Sequence, residues 1–330
     1  MQRARANIAS LWCALLLLSA CTSNGATSTP ATEQAPLHVG VDLWAGYYPA
    51  LLAEQLGYFR DERVAVELAI PEDTDQLLVD FAAGSFDGVG VAAGDTINVL
   101  EANPDSRLVL FSDLSDGADM VLAMPPIHLP EDLRGKAVGT NLGGFGELLL
   151  RHMFDQHGVP SGAVKVLNVD AAQAVDRLVS GELSAVHTWE PYASRARAAG
   201  ATVLYTSHEA DGLVLDCLLF SGETLRARPE DMRRFLRAWF RAAEHWQAHP
   251  QEDDQLIAKR LAVPPDSVNR AGIHLLTLRE EHEVFVRGPT NRSARHVVQQ
   301  FVDYFLSRGT ISAAPDLDQL LDSQFLPADK

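Results

Sequence analysis

The residues able to do chemistry gather in a few short segments. The stretch VDLWAGYYPALLAEQLGYF (41–59) holds five aromatic side chains in a chain that is 7% aromatic overall. Trp44, Tyr47 and Tyr48 crowd between an apolar run and a helical pattern, where turns usually carry small polar residues. A second segment, TWEPY (188–192), sets Trp189 and Tyr192 beside Glu190. Acids recur at comparable places: Asp42, Asp95, Asp113, Asp116, Asp211 and Asp216, with Ser115 next to Asp116. Flat rings with a few convergent polar groups are the walls of small-molecule pockets. The competing reading has Trp44 packing on the next helix, with Tyr47 and Tyr48 capping a hydrophobic edge. Recurrence of rings in two separate segments favours the pocket. No lysine or arginine occurs in 42–48, 92–96, 112–118, 140–146, 188–192 or 208–216. Acids beside rings suit a cation or an amine-bearing ring, through charge-assisted hydrogen bonds and cation–π contacts of ~0.5–2 kcal/mol. An anion would look instead to N–H groups at the glycine-rich turn around Phe145, which opens a helix, or to a distant arginine such as Arg151.

Covalent and metal chemistry find little support. Gly-x-Ser-x-Gly, Cys-x-x-Cys and His-Glu-x-x-His are all absent. GVGVAAGD places glycines at 88, 90 and 94, so the third comes one residue late for a dinucleotide fingerprint. The eleven histidines are scattered, and His274 and His282, eight apart, lack an obvious third ligand. No cofactor and no metal are expected. Cys217, inside LVLDCLLF, reads as a buried core thiol without an activating neighbour.

The elements that must position these segments alternate. LHVGV (37–41), VAVELAI (64–70), FDGVGV (86–91) and RLVLF (107–111) read as strands, with helices over 49–56, 73–81 and 96–101 between them. Pro49 and Gly57 bracket the first helix. Strands at 118–124, 136–140, 164–169, 183–188 and 202–205 continue the pattern, with helices at 144–156, 171–180 and 191–198. Such alternation predicts α/β architecture with a parallel sheet covered on both faces. Ligands then bind outside the carboxyl ends of the strands, where the aromatic and acidic segments fall. After 213–220 the chain turns mostly helical. Met232, Phe235, Leu236, Trp239, Phe240 and Ala243 share one helix face, as do Val297, Val298, Phe301, Val302, Phe305 and Leu306, with Gly309 as the stop. Both stripes read as core.

The front of the chain speaks of location. Arg3 and Arg5 precede a short apolar run, 11–18, that ends in Leu18-Ser19-Ala20-Cys21. The run is shorter than the ~20 residues of a membrane span and fits a secretory leader, residues 1–20. The last four residues resemble a lipobox, with Cys21 as the lipidated residue. Residues 21–36, rich in Ser, Thr, Ala and Pro, lack large apolar side chains and read as a flexible tether. The chain carries 27 basic and 44 acidic residues, a net charge of −17. That balance excludes a nucleic-acid partner. The 294 residues from Leu37 suffice for two domains.

Beyond these readings, LWAGYYPALLAEQLGYFRDERVAVEL, LLVDFAAGSFDGVGVAAGDTI, DLSDGADMVLA, DLRGKAVGT, GELSAVHTWEPY, DCLLF and FVDYFLSRGTI occur in the order seen in one family. The chain resembles the NMT1/THI5-like solute-binding proteins of nitrate, taurine, sulfonate and thiamine-precursor importers. The resemblance covers nearly everything after Pro36. It implies a two-lobed periplasmic-binding-protein fold (type II) with two crossovers, near 116–120 and 211–215. Domain I would be residues 37–117 plus 214–330, and domain II residues 118–213. It implies a monomeric, lipid-anchored extracytoplasmic protein that passes a small solute to an ABC permease and its ATPase. Ligand contacts would come from Trp44, Tyr47, Tyr48, Asp95, Ser115, Asp116, Phe145, Trp189, Glu190 and Asp216. The electrostatic argument favours a nitrogenous solute, an amine or an aminopyrimidine-like ring, over the sulfonate, taurine or nitrate of other members. The family also includes pyrimidine-precursor synthases, whose cysteine-rich iron motif this chain lacks. A tethered sensor domain is a third reading.

Overall fold

Strand order explains how distant segments meet. The computed structural model describes residues 35–328, apart from 72, 211, 287 and 289–292. The leader, Cys21 and the tether to residue 34 lie outside the described residues, and so does Asp211. Residues 35–330 cluster as one compact unit.

Eleven strands among the described residues form two sheets. The first, in the order β11-β4-β10-β3-β1-β2, comprises β1 (Leu37–Val41), β2 (Val66–Ala69), β3 (Gly88–Ala92), β4 (Arg107–Ser115), β10 (Leu215–Phe220) and β11 (Ile273–Leu275). The second, in the order β7-β6-β8-β5-β9, comprises β5 (Met120–Ala123), β6 (Ala137–Thr140), β7 (Lys165–Asn168), β8 (Ala185–Thr188) and β9 (Thr202–Thr206). The chain leaves the first sheet after β4 and returns to it as β10. The two sheets, each with its helices, are the two lobes of a periplasmic-binding-protein fold.

The expectation of a parallel sheet needs correction, because both sheets are mixed. β1 runs parallel to β2 and β3, but β10 lies antiparallel between β3 and β4. β6 is parallel to β7 and β8, whereas β5 is antiparallel to β8 and β9. The antiparallel strands include the two next to the crossovers: β5 is the first strand after the chain enters the second lobe, and β10 is the first after it returns. β11, three residues long in a region that reads as helical, adds a further antiparallel edge on β4.

Local signals place the aromatic turn. Pro49 sits in the first turn of the helix Tyr48–Gln55, where its missing N–H is harmless, and Gly57 beyond it adopts φ 75°. That helix packs on the long helix Pro229–Ala248, whose predicted stripe is buried from Met232 to Ala243. Phe59 stacks on Phe235 at 5.2 Å, and the Tyr48 ring lies 6.2 Å from Trp246. Each fully buried large apolar side chain contributes about 1.5–3 kcal/mol, so this helix pair is a firm base for the turn that precedes it.

Candidate functional site

The site lies where the two lobes face each other. From the first lobe come Trp44, Tyr47, Asp95, Asp113 and Asp216. Tyr47 is fully buried, and its hydroxyl donates to Asp216 Oδ1 at 2.6 Å. Trp44 Nε1 donates to Asp113 Oδ2 at 3.0 Å, and Ser112 Oγ donates to Asp113 Oδ1 at 2.7 Å. Asp113 and Asp216 are cross-strand neighbours on β4 and β10. Gly46 makes the Trp44 arrangement possible, since a Cβ there would lie 1.7 Å from Asp113 Oδ1 and 2.6 Å from Trp44 Nε1.

The second lobe supplies Asp119 just before β5, His187 and Thr188 at the end of β8, Trp189, Glu190 and Phe145. Its rings touch one another: Phe145 meets His187 at 5.1 Å and Trp189 at 6.1 Å, and His187 meets Trp189 at 5.9 Å. His187 Nδ1 lies 3.2 Å from Thr140 Oγ1, and its Nε2 is 3.4 Å from Asp119 Oδ1.

Several bonds join the lobes. The Phe145 N–H, opening the helix Phe145–Gln156, donates to Asp95 Oδ1 at 2.8 Å. Gly144 permits that approach, since a Cβ there would stand 2.3 Å from the same oxygen. Asn98 Nδ2 donates to the Gly143 carbonyl at 2.5 Å, Trp189 Nε1 to the Leu43 carbonyl at 3.3 Å, and the Tyr304 hydroxyl to Glu147 Oε1 at 2.9 Å. A cavity of about 30 Å³ remains beside Trp44, Tyr48, Ala118 and Glu190. That cavity has room for about one water and none for a larger solute.

Electrostatics set this region apart. Burial, foremost, pushes Asp95 up to about 7, against the Phe145 N–H that lowers it; the Asp42, Asp75 and Asp119 charges raise it further. Burial likewise lifts Asp113 to about 7, opposed by the bonds from Ser112 and Trp44. Asp216 is raised well above the usual carboxylate range by burial, then by Asp113, with Asp119 and Asp95 adding to the effect. Tyr47 is raised by burial, then by Asp216, and so stays a neutral donor. Three buried carboxylates are thus raised here, each under the charge of Asp119 as well as by burial. Among the described residues no group of three or more His, Cys, Asp or Glu is arranged to hold a metal ion.

Not every sequence candidate reaches this cluster. Trp44, Tyr47, Asp95, Phe145, Trp189 and Asp216 come together. Tyr48 lines the small cavity, and Glu190 lines it too, but its carboxylate is already paired with Arg197 and accepts from the Ser194 N–H. Ser115 Oγ is bonded to Ser207 Oγ at 2.8 Å. Asp116 is exposed and pairs with His208 at 2.5 Å. Ser115 and Asp116 line a different cavity of about 480 Å³ with His274, Leu276, Glu280 and Glu283. Asp119, His187 and Thr188 escaped the sequence reading as site residues. The signals were an acid immediately before an apolar run in GADMVLA and a histidine within the apolar AVHTW. Cys217 is buried, its Sγ lies 3.3 Å from the Val91 carbonyl, and burial raises its thiol well above the ordinary range.

Two lobes, two mixed sheets and a double crossover define a periplasmic-binding-protein fold. Residues 44–253 match the NMT1/THI5-like family, and the chain belongs to it. Among solved structures, it is similar to the periplasmic aliphatic sulphonate binding protein SsuA from Escherichia coli. That match has 18% identity and a TM-score of 0.70 and covers 90% of this chain and 95% of the other. The desulfurization enzyme DSZB is also similar, at 17% identity and TM-score 0.65, over 88% and 97% of the two chains. A Brucella abortus (strain 2308) protein named for a binding role is 21% identical over 88% of this chain and 91% of its own.

Proposed function

We propose that this protein is the extracytoplasmic solute-binding subunit of an ABC importer and that its solute is a small nitrogenous compound, an amine or an aminopyrimidine-like ring. The observation that carries the solute class is the convergence of Asp95, Asp113, Asp119 and Asp216 between the lobes. The charges that raise Asp95, Asp113 and Asp216 are those of neighbouring acids. A cation placed among them lets the carboxylates ionise with a partner, whereas an anion adds to their repulsion. The rings of Trp44, Trp189 and Phe145 add flat surfaces suited to a planar or cationic guest. Binding without covalent change agrees with the burial of Cys217, the one cysteine among the described residues. Closure of the lobes follows from differential affinity, the solute contacting both sides only when they meet. The closed form is then the one read by the permease and its ATPase, with the protein monomeric and held to the membrane through Cys21.

A second reading has one specific observation behind it: the likeness to a sulphonate binder. It places an anion on the N–H groups around Phe145, in a site where Asp95 already accepts from that amide. A thermal-shift screen of amines, aminopyrimidines, taurine, alkanesulfonates and nitrate separates the two. Ligand at a hundredfold excess over Kd stabilises by about 2.7 kcal/mol, readily seen as a rise in Tm. Stabilisation by nitrogenous solutes is the expected outcome. Stabilisation by sulfonates or nitrate with none from nitrogenous compounds would refute the cationic reading.

A further inference from the structure

The second lobe leaves polar atoms without partners at one place. Among the described residues, eleven buried side-chain nitrogens and oxygens make no hydrogen bond, and four of these belong to Asp119 (Oδ1 and Oδ2), His187 (Nε2) and Thr188 (Oγ1). Asp119 is 1% exposed, His187 3% and Thr188 0%. The three are adjacent by register, because Met120, next to Asp119, pairs with Thr188, and Val121 pairs with His187. His187 Nε2 approaches Asp119 Oδ1 only to 3.4 Å, without the alignment of a hydrogen bond. His187, beside Asp119, meets the rings of Phe145 and Trp189, whose N–H groups bond Asp95 and the Leu43 carbonyl of the first lobe, so this group borders the interlobe contact. Buried polar groups in folded proteins are almost always paired, and a cluster of exceptions calls for a partner that arrives later.

Resting on the cationic reading above, we infer that Asp119, His187 and Thr188 form the subsite that selects among nitrogen cations. It takes a nitrogen bearing at least two N–H bonds, a primary ammonium or an amidinium, and rejects a fully alkylated one. Rings alone do not make this choice, because an aromatic surround attracts any cation and suits quaternary ammonium well. The carboxylate of Asp119 does make it. Both its oxygens are free acceptors, and an ammonium or amidinium fills them with two charge-assisted N–H bonds. A quaternary nitrogen would seal both oxygens away from water with no donor. The other carboxylates discriminate less: Asp113 already accepts from Ser112 and Trp44, and Asp216 from Tyr47.

Calorimetry on the full chain tests this with matched pairs: primary amines and amidines against their permethylated counterparts, including benzylamine, benzamidine and benzyltrimethylammonium, with phenylmethanesulfonate as the anionic control. The N–H-bearing member of a binding pair is expected to bind at least tenfold tighter. Asp119→Asn should shrink that gap to under threefold while leaving the Tm of the ligand-free protein level or higher, since the carboxylate makes no hydrogen bond and only a 3.4 Å approach to His187. A merely structural Asp119 would lower Tm on substitution. Thr188→Val, which keeps shape, should weaken binding of the N–H-bearing member by a smaller factor. Equal or tighter binding of the quaternary member overturns this inference and leaves the cationic reading intact. Binding of the sulfonate alone, or of neither member of any pair, overturns the cationic reading and this inference with it.

Discussion

The two walls of the interlobe site use similar residues in opposite ways. On the first lobe, ring and carboxylate are tied together: Trp44 holds Asp113, Tyr47 holds Asp216, and Ser112 takes the remaining Asp113 oxygen. On the second, rings pack on rings while Asp119, His187 and Thr188 keep unpaired atoms. A satisfied buried network fixes geometry and has little left to offer a guest, whereas an unsatisfied one lowers the stability of the empty protein and keeps its hydrogen-bonding capacity for the ligand. Under the proposed cationic reading, the first wall supplies shape and electrostatic field, and the second supplies recognition.

Gly46→Val attacks the first wall most directly. Any side chain at this position overlaps Asp113 and the Trp44 indole nitrogen. Overpacking together with loss of the Trp44–Asp113 bond should cost about 3–5 kcal/mol in stability and at least a hundredfold in solute affinity. Urea unfolding and calorimetry measure both quantities. A variant of native stability that binds normally would mean that the Trp44 turn is not a rigid prop.

The next pair of substitutions sets wall against wall. Tyr47→Phe strips Asp216 of its donor inside a fully buried site and should destabilise the protein by about 1–3 kcal/mol. Thr188→Val removes a hydroxyl that has no partner, so the empty protein should gain up to about 1 kcal/mol or stay level. Affinity should fall in both variants. Chemical denaturation with and without solute resolves the signs, and a Thr188→Val protein as destabilised as Tyr47→Phe would erase the proposed distinction between the walls.

This asymmetry also marks where the sequence was legible. Strand and helix placement was readable because each buried element carries its own period, as in the stripe from Met232 to Ala243, and because Pro49 and Gly57 punctuate the first helix. The aromatic wall was legible for a related reason: rings in a turn break the usual turn chemistry. Asp119 and His187 were not, since one acid at the entry to an apolar strand and one imidazole inside another look like ordinary core exceptions until register sets them side by side. Asp116, expected among the ligand contacts, lies outside the cluster. Its neighbour in sequence, Ser115, points to Ser207, and Asp116 itself turns outward to His208. Nothing in the local pattern tells which side of a crossover an acid will face. The antiparallel insertion of β10 was equally hidden.

Titration sharpens the comparison further, with a smaller effect. Asp95 and Asp113 sit at about 7 in the folded protein and near 4 when unfolded. Between those values the folded chain holds protons that the unfolded chain has released. Their contribution to stability is therefore present at low pH and is lost as pH rises through 7. The ligand-free Tm should fall between pH 5.5 and pH 8. Affinity for a cationic solute should climb over the same interval, because the solute favours the ionised carboxylates. Carboxylates held below their usual range, such as Glu101 and Asp132, titrate beneath this window and do not mask it. Scanning calorimetry of the parent and of an Asp95→Asn/Asp113→Asn variant isolates the effect: the slope should flatten in the variant. An unchanged slope would assign the titration to other groups.

The smallest effect is expected at Asp116, and its smallness is informative. Asp116 carries the same charge as Asp119 and lies three residues before it, on the other side of the turn through Gly117. It is exposed and its partner His208 is exposed as well, so the pair contributes at most ~0.5 kcal/mol. It also opens onto the cavity shared with His274 and Glu280, which has no lining residue in common with the small cavity beside Trp44. Asp116→Asn should leave solute affinity within twofold of the parent, while Asp119→Asn lowers it at least tenfold. Equal losses at both positions would mean that net acidity near the crossover attracts the solute and that hydrogen bonding to one buried carboxylate does not select it. A loss at Asp116 alone would move the solute into the larger cavity and leave the orphaned atoms of the second wall without a role.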